Sequence, residues 1–394
     1  MRRFHYIFYA LAASLILFTA CREDEEIYIP DKIPVSQPEY TSIDGFYLLN
    51  EGNMGDNKST LDYYDYKTGV YTRNIFGAAN PTVPKEIGDV GNDIAIYGSK
   101  MYAVINCSNY ISVLDKYTAK MINKIDIPNC RYIKFYKGFA YVSSYVGPVV
   151  LNGMGSDDDV FQLGAVFKVD TVTMQVVDTC VVGRQPDELD IADGKIYVAN
   201  SGGYSQGAKE GYENTVSVID IATFEEIERI PIAMNLMCCR CDERGILWVT
   251  SRGDYYGNSS KLFAYNTLKH RMEKTFDIPV GTMCMDGDSL YVISAQWSFM
   301  NNDYGERTFK IINTKTLEVV NEMFISDGTE TTIEIPYGIA VHPFTKEIYL
   351  TDAGDYVHPG FLHCYSPEGV RKWSVRTGDI PAHFVFLGDN INEQ

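Results

Sequence analysis

The pattern aromatic–aliphatic–small–Asn/Ser/Asp recurs seven times along this chain, and each copy leads into a second strand-like run ending on Asp, Asn or Ser. The copies centre on Tyr47, Tyr102, Tyr141, Tyr197, Trp248, Tyr291 and Tyr349, at spacings of 39 to 58 residues. One such unit cannot bury its own apolar face, so the copies must stack. A period of this size built from short strands is that of a four-stranded propeller blade. The expectation is an all-β fold, a seven-bladed β-propeller over residues 44–394.

Within one repeat the four strands can be placed. In the fourth, Leu189-Asp190-Ile191 reads as the inner strand, residues 196–200 as the second, 215–220 as the third and 225–232 as the fourth, with Asp193-Gly194 turning the chain. Third strands end on Asp115, Asp170, Asp220, Asn266 and Asn313, and Thr118, Thr173, Thr223 and Thr316 follow four of them at three residues' distance. That is turn chemistry, which makes these acids structural rather than catalytic. The first repeat begins at Gly45 with its second strand and lacks an inner one. The segment Pro381 to Phe386 reads as a spare inner strand, so a C-terminal strand is expected to complete the first blade and close the ring.

The N-terminus is of another kind. Arg2, Arg3 and His5 precede an apolar run from Ile7 to Phe18, then Thr19-Ala20-Cys21. A basic head, a short apolar core and small residues describe a secretory signal over residues 1–20, too short to span a bilayer. Cys21 reads as a lipidation site, with residues 21–43 as an acidic, proline-containing tether. The run Arg22-Glu23-Asp24-Glu25-Glu26 resembles the acidic export signal that sends lipoproteins of Bacteroidetes-type bacteria to the outer face of the outer membrane. The expected placement is therefore a lipid anchor in the outer membrane with the propeller facing the exterior.

A formal charge of −18 without a basic stripe excludes nucleic acid as a partner. Eight cysteines remain after Cys21. Cys238, Cys239 and Cys241 fall where an inner strand should lie, only the last two on one face, and read as buried thiols rather than a zinc site.

Length varies mainly in the connections between second and third strands. In an up-and-down blade these emerge on the face of the blade-to-blade crossovers, where they make a rim around the central channel. They carry Tyr145, Tyr204, Tyr212, Tyr255, Tyr256, Trp297, Phe299 and Tyr356, interleaved with Arg252, Asn301 and His358. Loop tyrosines offer flat apolar area and a hydroxyl at low entropic cost, so these eleven are the candidate ligand-binding residues. No HExxH, phosphate-loop or dinucleotide fingerprint occurs. Of the histidines, His358 and His383 can reach the rim. Asp93, Glu188, Asp254 and Asp355 fall on the same face, as an acid–base pair, a calcium site or a ring of solvated acids. The expectation is a binding protein and not an enzyme, with no catalytic residue, no resident cofactor and no metal.

The Cys21 context, the acidic run and repeats containing YVANSG and VSVID resemble the YVTN-type propellers among Bacteroides surface lipoproteins, and within these the BtuG family. That resemblance implies capture of cobalamin or another corrinoid at the cell surface and a partnership with a TonB-dependent outer-membrane transporter of the BtuB type. His358 would then be a residue to approach the cobalt. A glycan-binding surface propeller and a metal-dependent propeller hydrolase or lactonase stay open beside it.

Overall fold

The computed structural model describes residues 28–39, 42–147, 162–204 and 211–388. The signal segment, Cys21 and the start of the tether lie outside the described residues. Seven antiparallel sheets follow one another around a ring, six of them four-stranded, and the seventh completed as the repeat pattern requires. Blade four comprises Pro186–Ala192, Lys195–Asn200, Thr215–Asp220 and Glu225–Pro231. Its inner strand starts three residues before the position expected from sequence, for a reason given below.

Closure follows the expected route. Pro381–Gly388 pairs antiparallel with Ile43–Asn50, setting Pro381 opposite Asn50 and Val385 opposite Tyr47. The opposite edge of this sheet ends on the three-residue strand Val70–Thr72, which Lys32–Pro34 covers as a fifth strand. Residues 32–34, placed in the tether by the sequence reading, are thus part of blade one. They shield an edge that would otherwise stay open.

The repeat anchors hold the blades to one another. Tyr47, Tyr102, Tyr141, Tyr197, Trp248 and Tyr349 are all buried, and Tyr291 is half-buried. Tyr47 packs with Ile94 and Met101 of blade two, and Trp248 with Met283 and Leu290 of blade six. Burying an apolar side chain of this size contributes about 2 kcal/mol, and the ring repeats it at each interface. On the opposite face from the rim, Asp170 Oδ1 accepts from the amides of Val172 and Thr173 at 2.9 and 2.7 Å, and Thr173 donates its hydroxyl back at 3.1 Å. Asp115, Asp220 and Asn313 repeat the arrangement with their own following residues. The acid is the acceptor and the threonine the donor. Those hydrogen bonds hold the three carboxyls below the usual range, as expected of structural groups.

At the channel mouth the inner strands break register. Arg131 and Tyr132 together face Ser143, Asp187 and Glu188 face Ala199, Met237 and Cys238 face Thr250, and Tyr337 and Gly338 face Thr351. Two residues opposite one make a β-bulge, which leaves an amide unpaired and re-aims the side chains. In three blades the hydroxyl of the repeat motif takes that amide: Ser143 from Tyr132 at 3.1 Å, Thr250 from Cys238 at 2.9 Å, Thr351 from Gly338 at 2.7 Å. Ser143 and Thr351 also donate to the next inner strand, at Asp187 O (2.7 Å) and Pro381 O (2.6 Å). The small position of the repeat is therefore a bulge clamp.

Replacing Thr351 by Val keeps the volume and removes both bonds. The unpaired Gly338 amide is expected to cost about 1–3 kcal/mol. Urea unfolding measures this, and a stability equal to wild type would contradict the clamp.

Candidate functional site

The bulges open into a cavity of 840 Å³ at the head of the channel, lined from all seven blades. Five of the seven crossovers into it bend sharply. Val90, Asn129, Gln185, Asn235 and Ile380, each just before an inner strand, have φ of 59°, 42°, 47°, 54° and 54°. Their carbonyls accept the amide of the residue that follows the second strand, as from Arg252 to Asn235 at 2.9 Å and from Glu51 to Ile380 at 2.8 Å. Left-handed Val and Ile are costly, by roughly 1–3 kcal/mol each, and persist only where surrounding bonds enforce them.

One wall of the cavity is aromatic. The blade-six insertion folds into a small hairpin, Trp297–Ser298 with Asp303–Tyr304, which sets the Trp297 and Tyr304 rings 5.0 Å apart. Tyr304 leads on to Tyr356 at 6.5 Å and Tyr356 to Tyr337 at 5.6 Å. In the other direction Phe299 contacts Trp297 at 6.2 Å and stacks on Tyr256 at 5.3 Å. Two of these loops share a device that the sequence carries as Gly-Asp-Tyr at 253–255 and 354–356. The Asp accepts the following amides, and the Tyr takes a left-handed backbone, φ 63° at Tyr255 and 61° at Tyr356. Gly253 admits no substitute, since a Cβ there would lie 1.9 Å from the Asn258 carbonyl oxygen.

The other wall is ionic. Asp187 is fully buried; its Oδ1 accepts from Arg131 Nε (3.2 Å), Arg131 Nη2 (3.0 Å) and the Tyr145 hydroxyl (2.8 Å), and its Oδ2 from Arg252 Nη1 (2.7 Å). Burial opposes ionisation, but Arg252 and Arg131 hold the carboxyl below its ordinary range. Beside it Glu188 binds Arg240 through both oxygens and accepts the Cys239 amide at 3.0 Å. Across the mouth Glu51 accepts from Tyr337 at 2.9 Å and pairs with His383 Nε2 at 2.9 Å.

Of the residues expected from sequence, Tyr204, Arg252, Tyr255, Trp297 and Tyr356 line the cavity. Tyr145 lies beneath it as a buried support for Asp187. Tyr256 and Phe299 form an exposed stack just outside, and Asn301 is exposed at the hairpin tip. Tyr212 is half-buried, its hydroxyl without a partner among the described residues. His358 belongs elsewhere: it sits 2.7 Å from Asp355 in an outer groove of blade seven with Phe361 and Arg376, so it is not placed to meet a ligand in the channel. Of the four candidate carboxylates, Asp93 and Glu188 line the cavity, while Asp254 and Asp355 stand apart from it. Asp93 accepts the Ile133 amide at 3.0 Å, Asp254 caps its own loop, and Asp355 holds His358.

Among the described residues no group of three or more His, Cys, Asp or Glu side chains is placed to hold a metal ion. Cys239 and Cys241 pack toward blade four and Cys238 toward blade six. Burial pushes the Cys238 thiol up to about 12 and raises the Cys239 and Cys241 thiols well above their ordinary value, leaving all three protonated. The sequence reading missed Arg131, Asp187 and Tyr337, which stand in bulged heads that the strand pattern did not extend to, as well as Glu51 just after the second strand of blade one and Arg240 within the inner strand of blade five.

The His383 pair has a pH signature. Burial alone lowers the imidazole pKa, yet the Glu51 hydrogen bond and charge, with Asp93 and Glu188 beyond, raise it above the ordinary value. Tyr337 and Tyr132, the other groups facing it, have phenols driven upward by burial and stay neutral. The stabilisation is full below the unfolded pKa of about 6.5 and is lost as pH rises through the folded pKa. Urea midpoints from acid to mildly alkaline pH are expected to show a wild-type advantage over His383→Gln that shrinks on that rise. An advantage independent of pH would contradict this.

No curated protein matches the chain in sequence. Solved structures share its fold. A hypothetical selenium-binding protein from Sulfolobus tokodaii is 11% identical at a TM-score of 0.59, over 88% of this chain and 94% of that one. A putative 6-phosphogluconolactonase from Bacteroides fragilis is 11% identical at 0.58, over 89% and 100%. A quinonprotein alcohol dehydrogenase-like protein from Bacteroides thetaiotaomicron is 13% identical at 0.55, over 88% and 79%. At such identities the likeness is one of fold alone. The model of DUF5074, a domain of unknown function, matches residues 44–360, and the chain belongs to that family.

Proposed function

We propose that this protein is a surface-anchored lipoprotein that captures cobalamin or a related corrinoid in the channel mouth and passes it to a TonB-dependent outer-membrane transporter. The observation that carries the reading is the two-sided cavity. Its aromatic arc across blades five to seven offers flat apolar surface to a methyl-edged macrocycle. Its ionic wall on blades three to five offers donors and acceptors to peripheral amides. A cavity of 840 Å³ with an open mouth seats such a ligand partly enclosed, which suits hand-over to a second protein. The anchor rests on Cys21 and the acidic run after it, and the transporter partnership on the family resemblance of the whole chain. Binding rather than chemistry is the role proposed, since the acids at the mouth are each committed to an arginine, a histidine or backbone amides.

The Tyr256–Phe299 stack favours a second reading. Exposed to 53% and 49%, it is a platform on which a sugar ring also packs.

Purified protein mixed with cyanocobalamin and passed through a desalting column is expected to elute pink at one-to-one stoichiometry. Trp297→Ala is expected to weaken capture by about 2 kcal/mol, roughly thirtyfold, and Tyr256→Ala by less. Colourless protein that is retained on a glycan array would put the sugar reading first.

A further inference from the structure

Two guanidinium groups share a single buried carboxylate at one side of the mouth. Arg131 occupies one oxygen of Asp187 and Arg252 the other, and Tyr145 adds a neutral donor. One positive charge is left over at this point of a chain whose formal charge is −18. Of the other acids facing the cavity, Glu188 is bound to Arg240, Glu51 to His383 and Tyr337, and Asp286 to Lys346, while Asp93, whose partners are the neutral amides of Ile94 and Ile133, keeps its own charge elsewhere on the lining.

The same pair has unused donors. Arg131 spends Nε and Nη2 on Asp187, and Arg252 spends Nη1. Arg131 Nη1 and Arg252 Nε and Nη2 have no acceptor among the described residues, while both side chains line the cavity. They are only 13% and 22% exposed, so water screens them weakly. Both are held in place. Asn92 bonds the Arg131 carbonyl at 2.8 Å, and the Arg131 guanidinium lies 4.8 Å from the Tyr145 ring centroid. The Arg252 amide is fixed on Asn235, and its carbonyl accepts from Gln296 at 3.3 Å. A planar fork with two free edges, fixed in advance and carrying surplus charge, suits a tetrahedral oxyanion.

We infer that Arg131 and Arg252, set by Asp187, form an anion subsite of the channel mouth that binds a phosphate or phosphodiester group of the captured ligand. The subsite stands on its own geometry, and only the choice of ligand rests on the corrinoid reading. A cobalamin carries one such group, the phosphodiester joining its corrin side chain to the nucleotide, and a cobinamide lacks it. The macrocycle then lies against the aromatic arc and the phosphodiester against the arginines, which fixes the ligand's orientation.

The test titrates inorganic phosphate by calorimetry into wild type, Arg252→Gln and Arg252→Lys, at low ionic strength, with cyanocobalamin and dicyanocobinamide titrated in parallel. Asp187 keeps Arg131 and Tyr145 in the Gln variant, and Arg131→Gln, which keeps Arg252, serves as a second variant. Saturable phosphate binding to wild type is expected, weakened about tenfold or more in either Gln variant and partly restored by Lys. Wild type is expected to prefer cyanocobalamin to dicyanocobinamide by about tenfold or more, a preference that Arg252→Gln abolishes. Absent phosphate binding, or equal binding in both Gln variants, overturns the subsite even where cobalamin is captured. A corrinoid preference unchanged by Arg252→Gln overturns its assignment to the phosphodiester. Arginine-dependent phosphate binding without corrinoid capture supports the subsite and removes the corrinoid reading.

Discussion

The bulge at the head of the inner strand is the constraint on which this molecule's function depends. A regular strand would alternate its side chains between neighbouring blades and give the channel little. The extra residue breaks that alternation where the cavity begins, bringing Arg131, Tyr132 and Glu188 to its lining. It also strands an amide, so the fold must supply an acceptor at that spot. The hydroxyls of Ser143, Thr250 and Thr351 do so, and two of them reach on to the next blade. One side-chain oxygen thus satisfies the defect, links the ring and fixes the wall of the site.

Electrostatics then divides the mouth. A carboxylate as buried as Asp187 is tolerable only when paired, because taking it out of water costs several kcal/mol. With two arginines it is over-paired, and the surplus faces the cavity. Glu188 with Arg240 is closer to balance. Carboxylates also stitch the ring: Asp93, Glu188 and Asp190 accept the amides of Ile133, Cys239 and Cys241 on the following blade. The aromatic arc opposite depends on loop backbone instead, on the Gly-Asp-Tyr turns and on the hairpin that presents Trp297.

Much of this was legible in the sequence, for reasons that can be named. The anchors Tyr47 through Tyr349 repeat because each fills the same gap between blades, so their spacing gives blade number, and the spare strand at Pro381 to Phe386 gives ring closure. The acids ending the third strands repeat because the same turn follows each. Loop length marked the face on which the cavity opens and brought Tyr204, Arg252, Tyr255, Trp297 and Tyr356 into view. The bulged heads were not legible, since alternation stops where they start and Asp187-Glu188 reads as a polar turn. His358 was misplaced because a loop's face of origin does not say which way its tip leans, and Asp355 draws it outward. The Gly-Asp-Tyr pair was a usable signal that went unread: the same three residues in two insertions imply the same turn.

The most direct test of the account is a crystal structure of the protein with cyanocobalamin bound. The account predicts the corrin ring in the channel mouth, in contact with Trp297 and Tyr356, with its phosphodiester within hydrogen-bond distance of Arg131 or Arg252. A corrinoid in the outer groove of blade seven, beside His358, or an empty mouth at saturating ligand, would contradict it.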